Sequence, residues 1–266
     1  MTTILEQIIE DKKVEVAERQ SLYPTKLLER SLYFSSTPVS LTRYLRRPDK
    51  VGIIAEVKRA SPSKGVFHKH ISVENLTLGY MQAGASALSI LTDSKFFGGS
   101  LEDLATARRF NFCPILRKDF MIDPYQVIEA KSKGADVILL IAAAISPKQS
   151  KELGALAHTL GLEVLLEVRS LDEIDAYAGD HIDLIGVNNR DLADFSVSIE
   201  KSLELAPIIP SQFEKVTESG IHNAATIATL RDVGYQGFLI GEAFMKTTKP
   251  ASACGALVEE VRRLSV

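Results

Sequence analysis

Several apolar runs in this chain end in polar residues that a buried strand does not need for packing. Ile53-Ile54-Ala55-Glu56-Val57-Lys58 leads into the basic loop Arg59-Ala60-Ser61-Pro62-Ser63-Lys64-Gly65. The pattern returns in Pro114-Ile115-Leu116-Arg117-Lys118-Asp119, Leu165-Leu166-Glu167-Val168, Ile185-Gly186-Val187-Asn188-Asn189-Arg190 and Val216-Thr217-Glu218-Ser219-Gly220. Residues two apart on a strand share a face, so Glu56 points with Lys58 and Asn188 with Arg190. If Leu116 points inward, so does Lys118, and Arg117 faces outward. A lysine open to pKa tuning, opposite the Glu167 carboxylate of another strand, is a candidate acid–base pair. The Arg190 guanidinium suits a carboxylate or a phosphate. The plainer readings are an ion pair closing a strand for Glu56 and Lys58, a solvated loop lysine for Lys118, and a partner of Arg169 for Glu167. Charges converging from several strand ends describe an active site on an α/β scaffold.

The elements that would position them alternate along the chain. Ile4 to Arg19 reads as a helix and a short second one begins at Thr25, giving an N-terminal helical extension over residues 1–48. Short apolar strands are expected near 52–58, 86–91, 113–118, 136–141, 162–168, 182–188, 214–218 and 237–241. Ser100-Leu101-Glu102-Asp103 resembles a capping box, and Asp123-Pro124 and Ser146-Pro147 set a cap before a first-turn proline. Gly84, Gly134, Gly161 and Gly234 each stand between a helix and the next strand, where a left-handed residue is wanted. Eight units of strand, polar loop, capped helix and glycine predict a single (β/α)8 (TIM) barrel over residues 49–266, in one domain with the extension. A doubly wound open sheet fits less well, because its polar strand ends would gather at one switch point.

In barrels the loops after the seventh and eighth strands commonly bind phosphate. Here they read Glu218-Ser219-Gly220-Ile221 and Ile240-Gly241-Glu242-Ala243. Glycine lets the backbone approach the oxygens, and a helix N-terminus supplies N–H donors. The formal net charge of -3 gives no nucleic-acid-binding surface. No apolar stretch approaches membrane-spanning length, and the N-terminus, Met1-Thr2-Thr3-Ile4-Leu5-Glu6, lacks the basic-then-apolar pattern of a secretory signal. Cys113 and Cys254 form no zinc or redox spacing, so both are expected as packing residues in a reducing, cytoplasmic setting. His68-Lys69-His70 has no carboxylate spaced to complete a metal site and is expected to be a solvated loop.

Together these residues resemble the indole-3-glycerol-phosphate synthase family of tryptophan biosynthesis. The likeness runs through Ile54–Gly65, Leu91-Thr92-Asp93, Phe96–Ser100, Leu116–Phe120, Gly186–Leu192 and Glu218–Ile221, and includes the N-terminal helix. It implies a carboxy-lyase that closes the ring of 1-(2-carboxyphenylamino)-1-deoxyribulose 5-phosphate, releasing carbon dioxide and water, with no metal or organic cofactor, on a (β/α)8 barrel whose N-terminal helices lie near the active-site mouth. By motif position, Lys118 resembles the general acid and Glu167 the carboxylate completing acid–base work. Lys58 and Glu56 resemble groups that orient the substrate and tune those protonations. Ser61, Asn188 and Arg190 resemble groups around the anthranilate carboxylate and the reacting chain, and Phe97, with Phe96, the wall against the aromatic ring. Glu218 joins the substrate-binding set, and Ser219, Gly220, Gly241 and Glu242 lie at the phosphate positions. Some family members carry Ser where this chain has Glu242, so its phosphate role is expected from the backbone alone. Which lysine protonates at each step stays open, as do pathway-enzyme partners. Phosphoribosylanthranilate isomerase, a related barrel, uses a Cys at the end of its first strand; Glu56-Val57-Lys58 argues against it. A non-catalytic phosphate-binding barrel would not need Glu56, Lys58, Lys118, Glu167, Asn188 and Arg190 together.

Overall fold

Strands of four to six residues alternate with helices along the chain, and each strand pairs in parallel with its neighbours in sequence. They are β1 (Ile53–Val57), β2 (Ala87–Leu91), β3 (Ile115–Lys118), β4 (Val137–Ile141), β5 (Glu163–Val168), β6 (Leu184–Asn188), β7 (Glu214–Glu218) and β8 (Gly237–Ile240). β1 closes on β8 through Ile53–Phe238, Ile54–Leu239 and Ala55–Ile240, giving the eight-stranded barrel expected from the sequence. This is a computed structural model, and it describes residues 3–191 and 195–264. Met1 and Thr2 of the N-terminal reading, and Leu192 of the Gly186–Leu192 motif, lie outside the described residues.

The helices are α1 (Ile4–Leu22), α2 (Thr25–Leu28), α3 (Leu41–Leu45), α4 (Val73–Gln82), α5 (Leu101–Phe110), α6 (Pro124–Ser132), α7 (Pro147–Thr159), α8 (Leu171–Tyr177), α9 (Glu200–Leu205), α10 (Ala224–Asp232), α11 (Glu242–Met245) and α12 (Pro250–Leu264). Asp123 and Ser146 cap α6 and α7 with full capping boxes. Ser100 caps α5 by accepting the Asp103 N–H, but no reciprocal bond forms, because the Asp103 carboxylate is taken by Arg59. The helix-ending glycines 84, 134, 161 and 234 all have φ between 74° and 101°, the region where a Cβ is costly.

Side-chain parity follows the two-residue period. Ile54, Leu116, Leu139, Leu165, Val216 and Leu239 fill the barrel interior, while Ile53, Ile115, Val164, Leu166, Ile185 and Val187 pack against the helices. Continuing the inward set toward the strand ends brings Glu56, Lys118, Glu167, Asn188 and Glu218 to one end of the barrel.

The other end is plugged by α3, which sequence reading did not anticipate because five residues show no usable periodicity. Leu41 and Leu45 enter the interior cluster beneath the strands. The Glu163 carboxylate accepts from the Ser40 and Thr42 hydroxyls and from the Leu41 and Thr42 N–H groups at 2.5–3.0 Å, so one side chain fixes the whole turn. Glu163→Ala should therefore lower unfolding free energy by roughly 2–3 kcal/mol, the range for losing hydrogen bonds to a charged group. Urea midpoints measure this, and a change under about 0.5 kcal/mol, ordinary for a surface substitution, would show that the plug holds without Glu163.

Candidate active site

A cavity of about 330 Å³ opens at the carboxyl ends of the strands. Each of the thirteen site residues expected from the sequence lines it: Glu56, Lys58, Ser61, Phe97, Lys118, Glu167, Asn188, Arg190, Glu218, Ser219, Gly220, Gly241 and Glu242. Among the described residues, no group of three His, Cys, Asp or Glu is placed to hold a metal.

At its centre the Lys118 ammonium lies 3.2 Å from Glu167 Oε2 and 3.0 Å from Glu218 Oε2. Burial pulls this ammonium down, but Glu218, Glu167 and Glu56 outweigh it and hold Lys118 above the ordinary lysine range. Burial would also raise Glu167; Lys118 and the Asn188 amide bring it below the usual carboxylate range. Glu218 goes the other way, because burial and then repulsion from Glu167 push it up to about 8 against the pull of Lys118. Two carboxylates beside one cation thus separate into one that keeps its charge and one that keeps its proton. Among the described residues, Glu218 Oε1 is buried without a hydrogen-bond partner.

Asn188 sets the orientation of this cluster. Its Nδ2 donates to Glu167 Oε1 at 3.0 Å, while its Oδ1 accepts from the Arg190 N–H and the Ser219 hydroxyl, both at 3.0 Å. Ser219 has φ 70°, a strained value for a residue with a Cβ. It is held there by that bond and by Asn189, whose Nδ2 donates to the Ser219 carbonyl.

On β1, Lys58 pairs with Glu56 at 2.8 Å. Gly241 stands directly against this carboxylate: a Cβ there would come within 2.4 Å of Glu56 Oε1. The glycine read as a phosphate-approach residue is thus required, in the first place, to leave room for Glu56. The short helix α11 starts just after it, and with the Ser219–Gly220 loop it forms the corner that barrels use for phosphate. Glu242 does not simply turn away from that corner. Its Oε2 lies 2.9 Å from Arg190 Nη2, tying the loop after β8 to the loop after β6.

Two details depart from the sequence reading. Phe96 does not wall the cavity; its N–H is bound by Asp93, and its ring lies under the Lys95 ammonium at 5.4 Å. Beside Phe97 the cavity is lined by Phe120, whose ring centroid is 6.1 Å from that of Phe97, and by Phe195. The loop Arg59–Gly65 folds as a hairpin, Ala60–Ser61 against Gly65–Val66, and brings Ser63 and Lys64 to the cavity with Ser61. The family resemblance implied N-terminal helices near the active-site mouth, and α1 lies there: its Ile4, Leu5 and Ile8 line the cavity.

The raised Glu218 carboxyl makes a prediction about stability. Below pH 4.5 it is protonated in both folded and unfolded chains. As pH rises from 4.5 to about 8 the unfolded chain loses this proton while the folded one retains it, so stability is withdrawn across that window. Glu218→Gln has no such proton to lose, so its stability relative to the unsubstituted protein should climb through the window and then level off. Urea midpoints across the window measure it; a difference that stays flat or falls would mean that Glu218 is not raised.

The chain matches the family model described as "Indole-3-glycerol phosphate synthase" over residues 5–257. It is 47% identical over 250 residues to the indole-3-glycerol phosphate synthase of Bacteroides thetaiotaomicron, covering 94% of this chain and 95% of that protein. It is 43% identical over 256 residues to that of Acidithiobacillus ferrooxidans, covering 95% and 97%. Among solved structures it resembles a chain of the tryptophan synthase a2b2 complex of Pyrococcus furiosus, with TM-score 0.60, 16% identity and coverage of 82% and 99%. It also resembles 3-hexulose-6-phosphate synthase of Salmonella typhimurium, with TM-score 0.62, 11% identity and coverage of 80% and 99%. Those two likenesses speak for the barrel alone. The matches along the sequence, covering nearly the whole chain, show that it belongs to the indole-3-glycerol phosphate synthase family.

Proposed function

We propose that the protein closes the indole ring of 1-(2-carboxyphenylamino)-1-deoxyribulose 5-phosphate, releasing carbon dioxide and water. The observation that carries this reading is the Lys118 ammonium held between Glu167 and Glu218 inside a cavity walled by Phe97 and Phe120. The reaction needs a positioned acid, because the ribulose carbonyl oxygen gains a proton as the arene carbon attacks it. Lys118, kept protonated by its carboxylates, supplies that proton. Carbon dioxide then leaves from the ring carbon that made the attack, and its bonding pair restores the aromatic ring. Loss of the hydroxyl as water needs a proton delivered to that oxygen, from Lys118 or Lys58, and a base to take a proton from the neighbouring chain carbon as the double bond forms; the ionised Glu167 serves as that base. Lys58, with Glu56, orients the chain of the substrate. Asn188 holds Glu167 in place.

The substrate carries a phosphate and a carboxylate. The loops at Ser219–Gly220 and Gly241–Glu242 offer backbone donors for the first, and Ser61 and Arg190 are placed near the second. The 1–48 extension and the 49–266 barrel act as one unit, since α1 supplies part of the cavity wall. Two buried free cysteines, Cys113 and Cys254, are consistent with a cytoplasmic setting. Among the described residues no helix is long and apolar enough to cross a membrane.

Formation of indole-3-glycerol phosphate from the carboxyphenylamino substrate, followed directly, tests the reaction. Lys118→Ala should lower kcat by about 10²–10⁴-fold with the fold intact. Turnover within about threefold of the unsubstituted protein, far below the usual contribution of a general acid, would remove Lys118 from that role. Glu242→Ser removes a carboxylate beside the phosphate corner and releases Arg190 to the substrate. It should tighten substrate binding by about twofold to fivefold at low salt, with the gain shrinking as screening increases. A KM that rises instead would mean that the Arg190–Glu242 pair holds the guanidinium where the substrate needs it.

A further inference from the structure

Lys12 is a lysine in the middle of α1, yet it is 1% exposed. Its ammonium lies 3.0 Å from Asp93 Oδ2, 3.0 Å from Asp119 Oδ1 and 2.7 Å from Glu15 Oε2. Asp93 follows β2 and Asp119 directly follows Lys118, so a single cation joins α1 to the active-site ends of two adjacent strands. The aspartates in turn fix what surrounds them. Asp93 Oδ1 accepts the Phe96 N–H at the start of the loop that carries Phe97. Asp119 Oδ2 accepts from the Thr92 hydroxyl at 2.5 Å and lies 3.0 Å from Arg117 Nη2, and Thr92 donates its own N–H to the Lys118 carbonyl. Arg117 continues to Glu129, which Arg19 of α1 grips at 2.7 Å. Burial works against the Lys12 charge, but Asp119 and Asp93 more than offset it and hold the ammonium above the ordinary range. Lys12 in turn helps to bring Asp119 down to about 2 against its own burial.

Nothing in this cluster touches the cavity centre through Lys12 itself. Its reach is through the backbone on either side of Lys118. We propose that Lys12 is a positioning residue for Lys118: locked between Asp93 and Asp119, it holds the end of β3 where the Lys118 ammonium meets Glu167 and Glu218. The docking of α1 then acts on turnover, beyond the covering of the cavity by Ile4, Leu5 and Ile8. This rests on Lys118 acting as the acid of the ring closure. The two contributions of α1 make different kinetic signatures. A wall residue contributes to substrate affinity, whereas misplacing an acid by even about 1 Å costs rate in the chemical step.

Steady-state kinetics of four proteins separate these roles: the unsubstituted chain, Ile8→Ala, Lys12→Met and Lys12→Met/Asp93→Asn. Ile8→Ala should raise KM with kcat held within about twofold, as loss of uniform binding does. Lys12→Met, checked by circular dichroism to be folded, should lower kcat by about tenfold or more, because it leaves Asp93 buried without a cation and Asp119 with Arg117 alone, cut off from α1. Adding Asp93→Asn removes the uncompensated charge and should recover about threefold of the lost kcat, without reaching the unsubstituted value while Asp119 lacks its link to α1. If Lys12→Met does not fold, the charge-relieved double variant is read alone, and its kcat should still lie about threefold or more below the unsubstituted chain. An unchanged kcat in Lys12→Met, or in the double variant when only that folds, with KM raised, reduces α1 to a cover and overturns the role of Lys12. An unsubstituted chain that forms no indole-3-glycerol phosphate overturns the reaction assignment instead, and the two failures are told apart by that first measurement.

Discussion

The arrangement depends on one ammonium group, Lys118, shared between two buried carboxylates that come from different strands. Charges taken from water into a barrel are tolerated only when their partners are placed well, since each removal from water costs several kcal/mol. Glu167 is on β5, Glu218 on β7 and Lys118 on β3, so no local segment of the chain can assemble the group. Closure of the barrel does so, and the register of each strand decides whether the charge enters the cavity or the helix layer. A slip of one residue would exchange Lys118 with Arg117 and Glu167 with Leu166 or Val168. The apolar layers of Leu116, Leu165 and Val216 below the charged ring make such slips costly, so the core enforces the chemistry above it.

The same alternation gives β3 two unlike networks. Inward, Lys118 holds the acid–base carboxylates. Outward, Arg117 is 1% exposed and ties Thr92, the Gln126 carbonyl, Asp119 and Glu129 together. The N-terminal helix α1 supplies the remaining cations, Lys12 and Arg19. The strand end is therefore fixed from both faces, which suits the proton-delivering role proposed for Lys118.

Much of this was legible in the sequence because the barrel repeats one simple rule. Period-two parity placed Glu56, Lys118, Glu167, Asn188 and Glu218 correctly, and proline and glycine marked helix boundaries with little help from packing. The features that escaped are those decided by distant partners. Lys12 looks like any charged residue of an amphipathic helix until Asp93 and Asp119, remote in sequence, arrive beside it. α3 owes its place to Glu163, which lies on β5. Phe96 and Phe97 are neighbours of the same type, and only the Asp93 bond to the Phe96 N–H decides which ring turns to the cavity. The direction of the Glu242 carboxylate was undetermined because its partner, Arg190, is on another loop.

The charge balance of the cavity bears on how it can receive an anion. Lys118 is paired with Glu167 and Glu218, Lys58 with Glu56, and Arg190 with Glu242. Lys64 of the hairpin also lines the cavity and has no ion pair among the described residues, so a doubly anionic substrate meets one uncommitted cation, and the rest of its binding must redistribute existing pairs. The pairs differ in how freely they can do so. Glu56 and Glu167 are both buried and Glu167 is held by Asn188, so Lys58 and Lys118 keep their partners at little cost in disorder. Arg190 and Glu242 are the more exposed pair, with side chains 19% and 25% exposed, and they join loops rather than strands. The weaker, screening-sensitive pair at the rim is the one able to open, while the buried pairs hold their geometry, so the ion pairs of one cavity are graded by depth.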